Sequence, residues 1–420
     1  MELKTKYQYT YINHPYTIDE KKYNKYILKL LKNKKCKLRI FQKEKDLEIY
    51  NYFLPNVREY LFPTFELRDD LLKNFLDMSK EQKSRMLSKQ SVSCFSYDID
   101  KSIQGKVGCE DGIFFNIEKI EIICFSTGIC FFVMKTNLEN TNEFVDLLNF
   151  NYRFRDVNSE FYSLKNFENI KIQTNLFNEA TDISELIHQI TGIYKKKNLN
   201  ENENPLSNSQ FYTYSYACLE NKNWNEKNEF ELIESDFYKY ANVLPANYSL
   251  DFNKENIEQN LHIIDNFKYY KIALTNLSSN VICSGVDIFN FTKLPYLYEN
   301  QYFYTYILGL YQKMFLRKIN SRLKEFERVT YLRNMFINFT KQIWGKDITN
   351  EDIGNSYFNT LKNTLELDEL YNEIKIKYDI LYKDLEIEKN NIYGSIIIIL
   401  LIFSLMFNTI NILFLMYLLV

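Results

Sequence analysis

From Ile396 to Val420 the chain reads IIIILLIFSLMFNTINILFLMYLLV, and no charged residue follows Lys389. Crossing a bilayer core takes about 20 apolar residues, so this run reads as a membrane-spanning helix. As one helix, residues 392 to 420 extend about 43 Å at a rise of about 1.5 Å per residue. A hairpin turning at Asn408 to Asn411 leaves too short a second arm, so a single span is expected. Lys383 and Lys389 flank its start, and the polar bulk of the chain precedes it. Translocating that bulk without a signal is unfavourable. The N-terminal side is therefore expected to be cytosolic, at the inner or plasma membrane.

Within the run, Ser404, Asn408 and Asn411 follow i, i+4, i+7 and share one helical face. An Asn in hydrocarbon is costly unless it meets a partner or water. That face is expected either to pack against other helices or to line a pore. Both readings imply a homo-oligomer held in a lipid bilayer. Asp384, Glu386 and Glu388, close to the start of the run, would attract cations to a pore mouth. Their alternation with Lys377, Lys383 and Lys389 equally describes a salt-bridged helix surface.

Upstream, Leu367, Leu370, Ile374, Tyr378, Leu381 and Leu385 recur at three and four. The pattern covers 351 to 390 and enters the apolar run without a strong breaker, Gly394 being the one weak point. Thr349 with Asp352 three residues on resembles a capping box. A second helical pattern uses Leu308, Tyr311, Phe315, Ile319, Leu323, Phe326 and Val329, runs from 301 to 344, and stops before Gly345. The seam on 351–390 can pack against 301–344 of the same chain, or against other copies.

The first 300 residues mix strands and helices. Residues 113–125, IFFNIEKIEIICF, alternate, Ser126-Thr127-Gly128 supplies a turn, and ICFFVMKT follows at 129–136. This is the clearest hairpin in the chain. FYTYSYACL at 211–219 reads as a strand, and KIALTNL (271–277) with VICSGV (281–286) as a hairpin turning at Ser278-Ser279-Asn280. Helices are expected at 21–33, 138–149, 182–196 and 228–241, with a segment broken by Pro55 and Pro63 at 53–67. NLNENENPLSNS at 198–209 reads as a linker. The fold class expected is an α+β cytosolic domain, then a long helical stalk, then a C-terminal transmembrane helix. The divisions are 1–200 and 201–300 for two α/β parts, 301–390 for the stalk and 391–420 for the membrane segment.

Composition excludes several classes. With 52 basic and 54 acidic residues, nothing favours nucleic acid as a direct partner. The 34 Tyr and 33 Phe accompany abundant Asn, Lys and Ile, all AT-rich codons, so aromatic stripes read as core packing. Seven cysteines without a CxxC fit a reducing compartment and give no metal-site spacing. The start, MELKTKYQYTY, has no apolar h-region, so no secretory signal is read there. His14, His188 and His262 lie far apart. No phosphate loop, dinucleotide fingerprint, HExxH or GxSxG occurs. No catalytic residue and no metal ligand is therefore assigned, and an enzyme is not expected.

The order of elements, with YFYTYILGLYQKMFLRKI at 302–319 and KDITNEDIGNSYFNTLKNTLEL at 346–367, resembles the CorA-type divalent-cation channel family over roughly residues 210 to 410. The family's Gly-Met-Asn motif, second membrane helix and basic tail are absent. The pattern more closely resembles divergent CorA-like proteins associated with type III CRISPR defence. That resemblance implies an oligomeric channel or pore-forming effector, gated at the cytosolic domain by a small nucleotide ligand such as an S-adenosylmethionine–AMP conjugate. Beside it stand a membrane-tethered monomeric binding or scaffold protein, a magnesium transporter, and an anchored enzyme acting on a nucleotide.

Overall fold

The computed structural model describes residues 3–67, 69–99, 104–107, 112–155, 171–173, 180–193, 211–220, 230–249, 261–323, 329–345 and 347–418. The linker expected at 198–209 lies outside them. Among the described residues, one sheet of twelve strands organises the chain. They are β1 (Thr5–Thr17), β2 (Cys36–Leu38), β3 (Val92–Tyr97), β4 (Gln104–Val107), β5 (Ile113–Phe125), β6 (Ile129–Leu138), β7 (Lys171–Gln173), β8 (Thr181–Asp182), β9 (Tyr212–Leu219), β10 (His262–Ile264), β11 (Tyr270–Leu274) and β12 (Ser278–Ser284). The order is β10-β11-β12-β9-β1-β6-β5-β4-β7-β8, with β2 and β3 branching from β5. The two α/β parts on either side of residue 200 thus share one sheet. β1 joins them, pairing antiparallel with β6 on one side and with β9 on the other.

The β5–β6 hairpin forms where the pattern places it, with Cys124 opposite Cys130 and Gly128 in the left-handed region (φ 80°) that the turn needs. Ile123, Phe125, Phe131 and Val133 point into one core, and Ile122, Cys124, Phe132 and Met134 into the other. That alternation is the period of a pleated strand buried on both faces. A bulge between Ile117 and Lys119 interrupts it and re-aims the charged residues there.

Helices cover both faces. Tyr23–Lys32 (α1), Phe144–Arg155 (α4), Ile183–Thr191 (α5) and Glu234–Ala241 (α6) bury Ile27, Leu147, Leu186 and Phe237 on one side. On the other lie Leu47–Tyr52 (α2), Pro55–Leu61 (α3), Phe303–Leu323 (α7), Val329–Ile343 (α8) and Asp352–Thr364 (α9). The helix expected over 301–344 is therefore observed as α7 and α8, with 324–328 outside the described residues. A π-helical turn, Tyr298–Tyr302, leads into α7. α7 is buried on nearly every side, including Lys313 and Lys318, so its core-facing stripe is wider than a single seam.

Three local expectations change. The β11–β12 turn falls at Thr275–Leu277, where the Thr275 hydroxyl accepts from the backbone of Leu277 and Ser278. Ser278, Ser279 and Asn280 lie inside β12, fully buried and bonded to Ala241 O, to the Tyr298 and Tyr357 hydroxyls, and to Tyr240 O. Buried polar groups with partners are stable in a strand, and those partners come from distant elements. The capping box at Thr349 and Asp352 does not form. Glu351 holds the N-cap position without a side-chain bond, and Asn355 accepts from Ile348 and Thr349 instead. Finally, the helical run from 351 breaks at Glu366, which takes φ 55°. The last helix, α10, spans Leu367–Leu418.

α10 begins against the domain. Leu367 and Ile374 are buried, Tyr371 stacks on Trp344 at 4.4 Å, and the Asn320 amide donates to Glu373 at 3.2 Å. The start of the seam thus packs on the same chain. The expectation of a C-terminal transmembrane helix is corrected: among the described residues, no helix is long and apolar enough to cross a membrane. The membrane location, the lipid partner and the ion-channel and CRISPR-effector readings rested on that span, and they lose their support with it.

Candidate functional site

Two features stand apart from the packed core. The first is the far length of α10. Ile396–Phe403 and Leu405–Phe407 are each between 46% and 66% exposed, on all sides of the helix. Ser404 and Asn408, expected on a functional face, are exposed among them. Asn411, Asp384, Glu386 and Glu388 lie in α10, but their side chains are outside the described residues. The structure therefore places Ser404 and Asn408 on one helix, exposed, and among the described residues no hydrogen-bond partner faces their side chains. Closer to the domain, Ile376 and Ile380 add an exposed apolar pair one turn apart.

The second feature is a charged shelf on the sheet face that also carries Tyr9 and Tyr11. Lys135 on β6 bridges Glu118 and Glu299, both at 3.0 Å. The Tyr11 hydroxyl donates to Glu299 at 2.6 Å, and the Lys135 ammonium lies 4.9 Å from the Tyr9 ring centre. Beside them Arg39 reaches Glu121 at 3.2 Å and Asp46 at 3.4 Å, and Lys119 reaches Glu121 at 3.0 Å. The β5 bulge brings Glu118 and Lys119 to this side. Glu121 is almost fully buried, and its Oε2 has no hydrogen-bond partner among the described residues. An open cleft of about 470 Å³ lies between residues 5–8 and 137–142. Asn137, in its wall, donates to Glu118 at 2.5 Å and so joins cleft to shelf.

Electrostatics fix the protonation of the shelf. Burial pushes the Glu299 carboxyl up, but Lys135 and Tyr11 outweigh it and hold it below its ordinary value. Burial works against the Lys135 ammonium, and Glu299 and Glu118 reverse this and raise its pKa. Burial pushes the Tyr9 and Tyr11 phenols far up, with the Glu299 charge adding to it. The phenols therefore stay neutral and the Lys135–Glu299 pair stays ionised near neutral pH. Such a surface can bind and orient a polar ligand through fixed charges and hydroxyls. Among the described residues, no group of His, Cys, Asp or Glu is placed to hold a metal ion.

Pattern reading passed over this shelf. Lys135 and Glu121 were visible only as charges at inward positions of two otherwise apolar strands, which is the signal that could have found them. Glu299 and Arg39 carry no such local mark. No protein-family model, no curated protein and no solved structure matches the chain.

Proposed function

We propose that this chain is a self-assembling binding protein. Copies join through the exposed length of α10, and each presents one α/β domain whose cleft and shelf take a small polar ligand. The observation that carries the reading is the all-round exposure of Ile396–Phe407. A helix apolar on every side is stable when covered on every side, and full burial of one Ile, Leu or Phe contributes about 1.5–3 kcal/mol. Parallel copies of the same helix supply matching cover. Ile376 and Ile380 extend the apolar face toward the domain.

A response to ligand has a physical route. Glu299 lies on the turn that starts α7, and α7 is the helix on which α10 begins. A ligand that competes with Lys135 for Glu299 acts on that turn. The test is Leu401→Glu. Leu401 is 58% exposed, so the charge leaves the fold of one copy intact and removes only what covers the helix. Loss of a discrete oligomer in that variant supports the reading. An unchanged assembly overturns it.

A further inference from the structure

Among the described residues four lysines are buried: Lys135, Lys313, Lys318 and Lys362. Three have a carboxylate. Lys135 pairs with Glu118 and Glu299, Lys318 with Glu20 at 2.7 Å, and Lys362 with Asp368 at 3.2 Å. Lys313, the most buried of the four at 4%, has none. Its ammonium donates to the neutral amide oxygen of Asn276 at 2.9 Å. A buried charge without a counter-charge is strongly disfavoured.

A second cation adds to the imbalance. Arg317 follows Lys313 by one turn of α7, on the same face. It is half-buried and, among the described residues, has no hydrogen-bond acceptor and no ion pair. Its charge acts on Lys313 from α7 and on the Tyr212 phenol at the start of β9. The carboxylate that acts on Lys313 from the other side is Glu366, without reaching it as an ion pair. Burial first, and Arg317 second, depress the Lys313 ammonium to about 8, against the weaker pull of Glu366.

We propose that Lys313, Arg317 and Asn276 form a binding site for a doubly charged, phosphate-class oxyanion, at the joint where α7, the β11–β12 turn and the start of α10 meet. Two cations without an ion-pair partner among the described residues match the charge of about −1.5 to −2 that a phosphate group carries near neutral pH. The guanidinium offers paired donors for an oxyanion. The Asn276 amide nitrogen is a further donor beside the oxygen that Lys313 occupies. Glu366 is also the residue whose φ of 55° starts α10. An anion that takes over Lys313 changes the electrostatic hold on that joint. The site is separate from the shelf, and its occupation does not depend on copies joining through α10.

The test uses the full chain and isothermal titration with two probes, inorganic phosphate and adenosine monophosphate, with acetate as a singly charged control. Wild type is expected to bind one of the two phosphates saturably and acetate far less. Lys313→Met and Arg317→Gln each remove a charged donor and are expected to weaken binding roughly tenfold or more. Tighter binding of the monophosphate assigns the site to a phosphate ester, and equal binding assigns it to the free anion. No saturable binding of either probe overturns the proposal, as does affinity left unchanged by either substitution in a folded variant. Lys313→Met removes a buried charge from the core, so its folding is not in question.

Discussion

Replacing Lys313 by Met should stabilise the protein, and the gain should depend on pH. The folded-state pKa is about 8 against an ordinary 10.5. A lysine whose pKa is depressed on folding binds fewer protons in the folded state than in the unfolded one. Stability therefore rises with pH across the window between the two values. Below about pH 8 the full cost applies, on the order of 3 kcal/mol for a shift of this size. Above about 10.5 it is gone. Met keeps most of the side-chain volume and loses the Asn276 bond, worth about 1 kcal/mol. The net gain at pH 7 is then about 2 kcal/mol. Urea unfolding of both proteins at pH 7 and 9.5 measures it, and the Met advantage should shrink by roughly 2 kcal/mol between the two. Tyrosines that burial pushes up act in the opposite direction at high pH, but they are common to both proteins and cancel in the difference. A variant less stable than wild type at pH 7, or a difference that ignores pH, would refute the reasoning.

Other perturbations separate the parts of the molecule. Lys135→Met leaves Glu299 and Glu118 without their cation, and because both carboxylates keep partial access to water, unfolding should show a loss of about 1–2 kcal/mol, less than for a fully buried pair. Burial pushes the Glu20 carboxyl up, yet Lys318, Tyr331 and Arg322 hold it below its ordinary value. Its contribution is present above the unfolded pKa and lost as pH falls through the folded one, so acid titration of Glu20→Gln should show a shallower loss of stability below about pH 4.5 than wild type. Gly309 faces α9, and a Cβ there would meet Leu361 Cδ2 at 2.6 Å and Cγ at 3.1 Å. Gly309→Ala should cost about 1–3 kcal/mol as overpacking, read as a lower melting temperature.

The sequence is legible where pairing is local. The β5–β6 hairpin declares itself because both strands, their alternation and Gly128 lie within one short stretch. β9 is equally alternating, but its parallel partner β12 comes from a distant segment, and no periodicity specifies that. Ser278, Ser279 and Asn280 imitate a turn because their partners on α6, α9 and the π turn are remote. The seam on 351–390 is helical as read, while the break at Glu366 depends on a left-handed backbone that a Glu does not advertise. Residues 396–407 announce that they want cover, but composition is silent on what covers them. Lys313 hides for the opposite reason. A lysine in YILGLYQKMFLRKI reads as the solvated side of an amphipathic helix, and only the depth of α7 under the sheet reveals it as buried.

The most direct measurement is the mass of the full-length chain in aqueous buffer by sedimentation velocity over a range of concentrations. Joining through α10 predicts a discrete multiple of the chain mass that Leu401→Glu returns to one. A wild-type chain that sediments as a single copy at every concentration, or that leaves solution only when lipid vesicles are added, would contradict it.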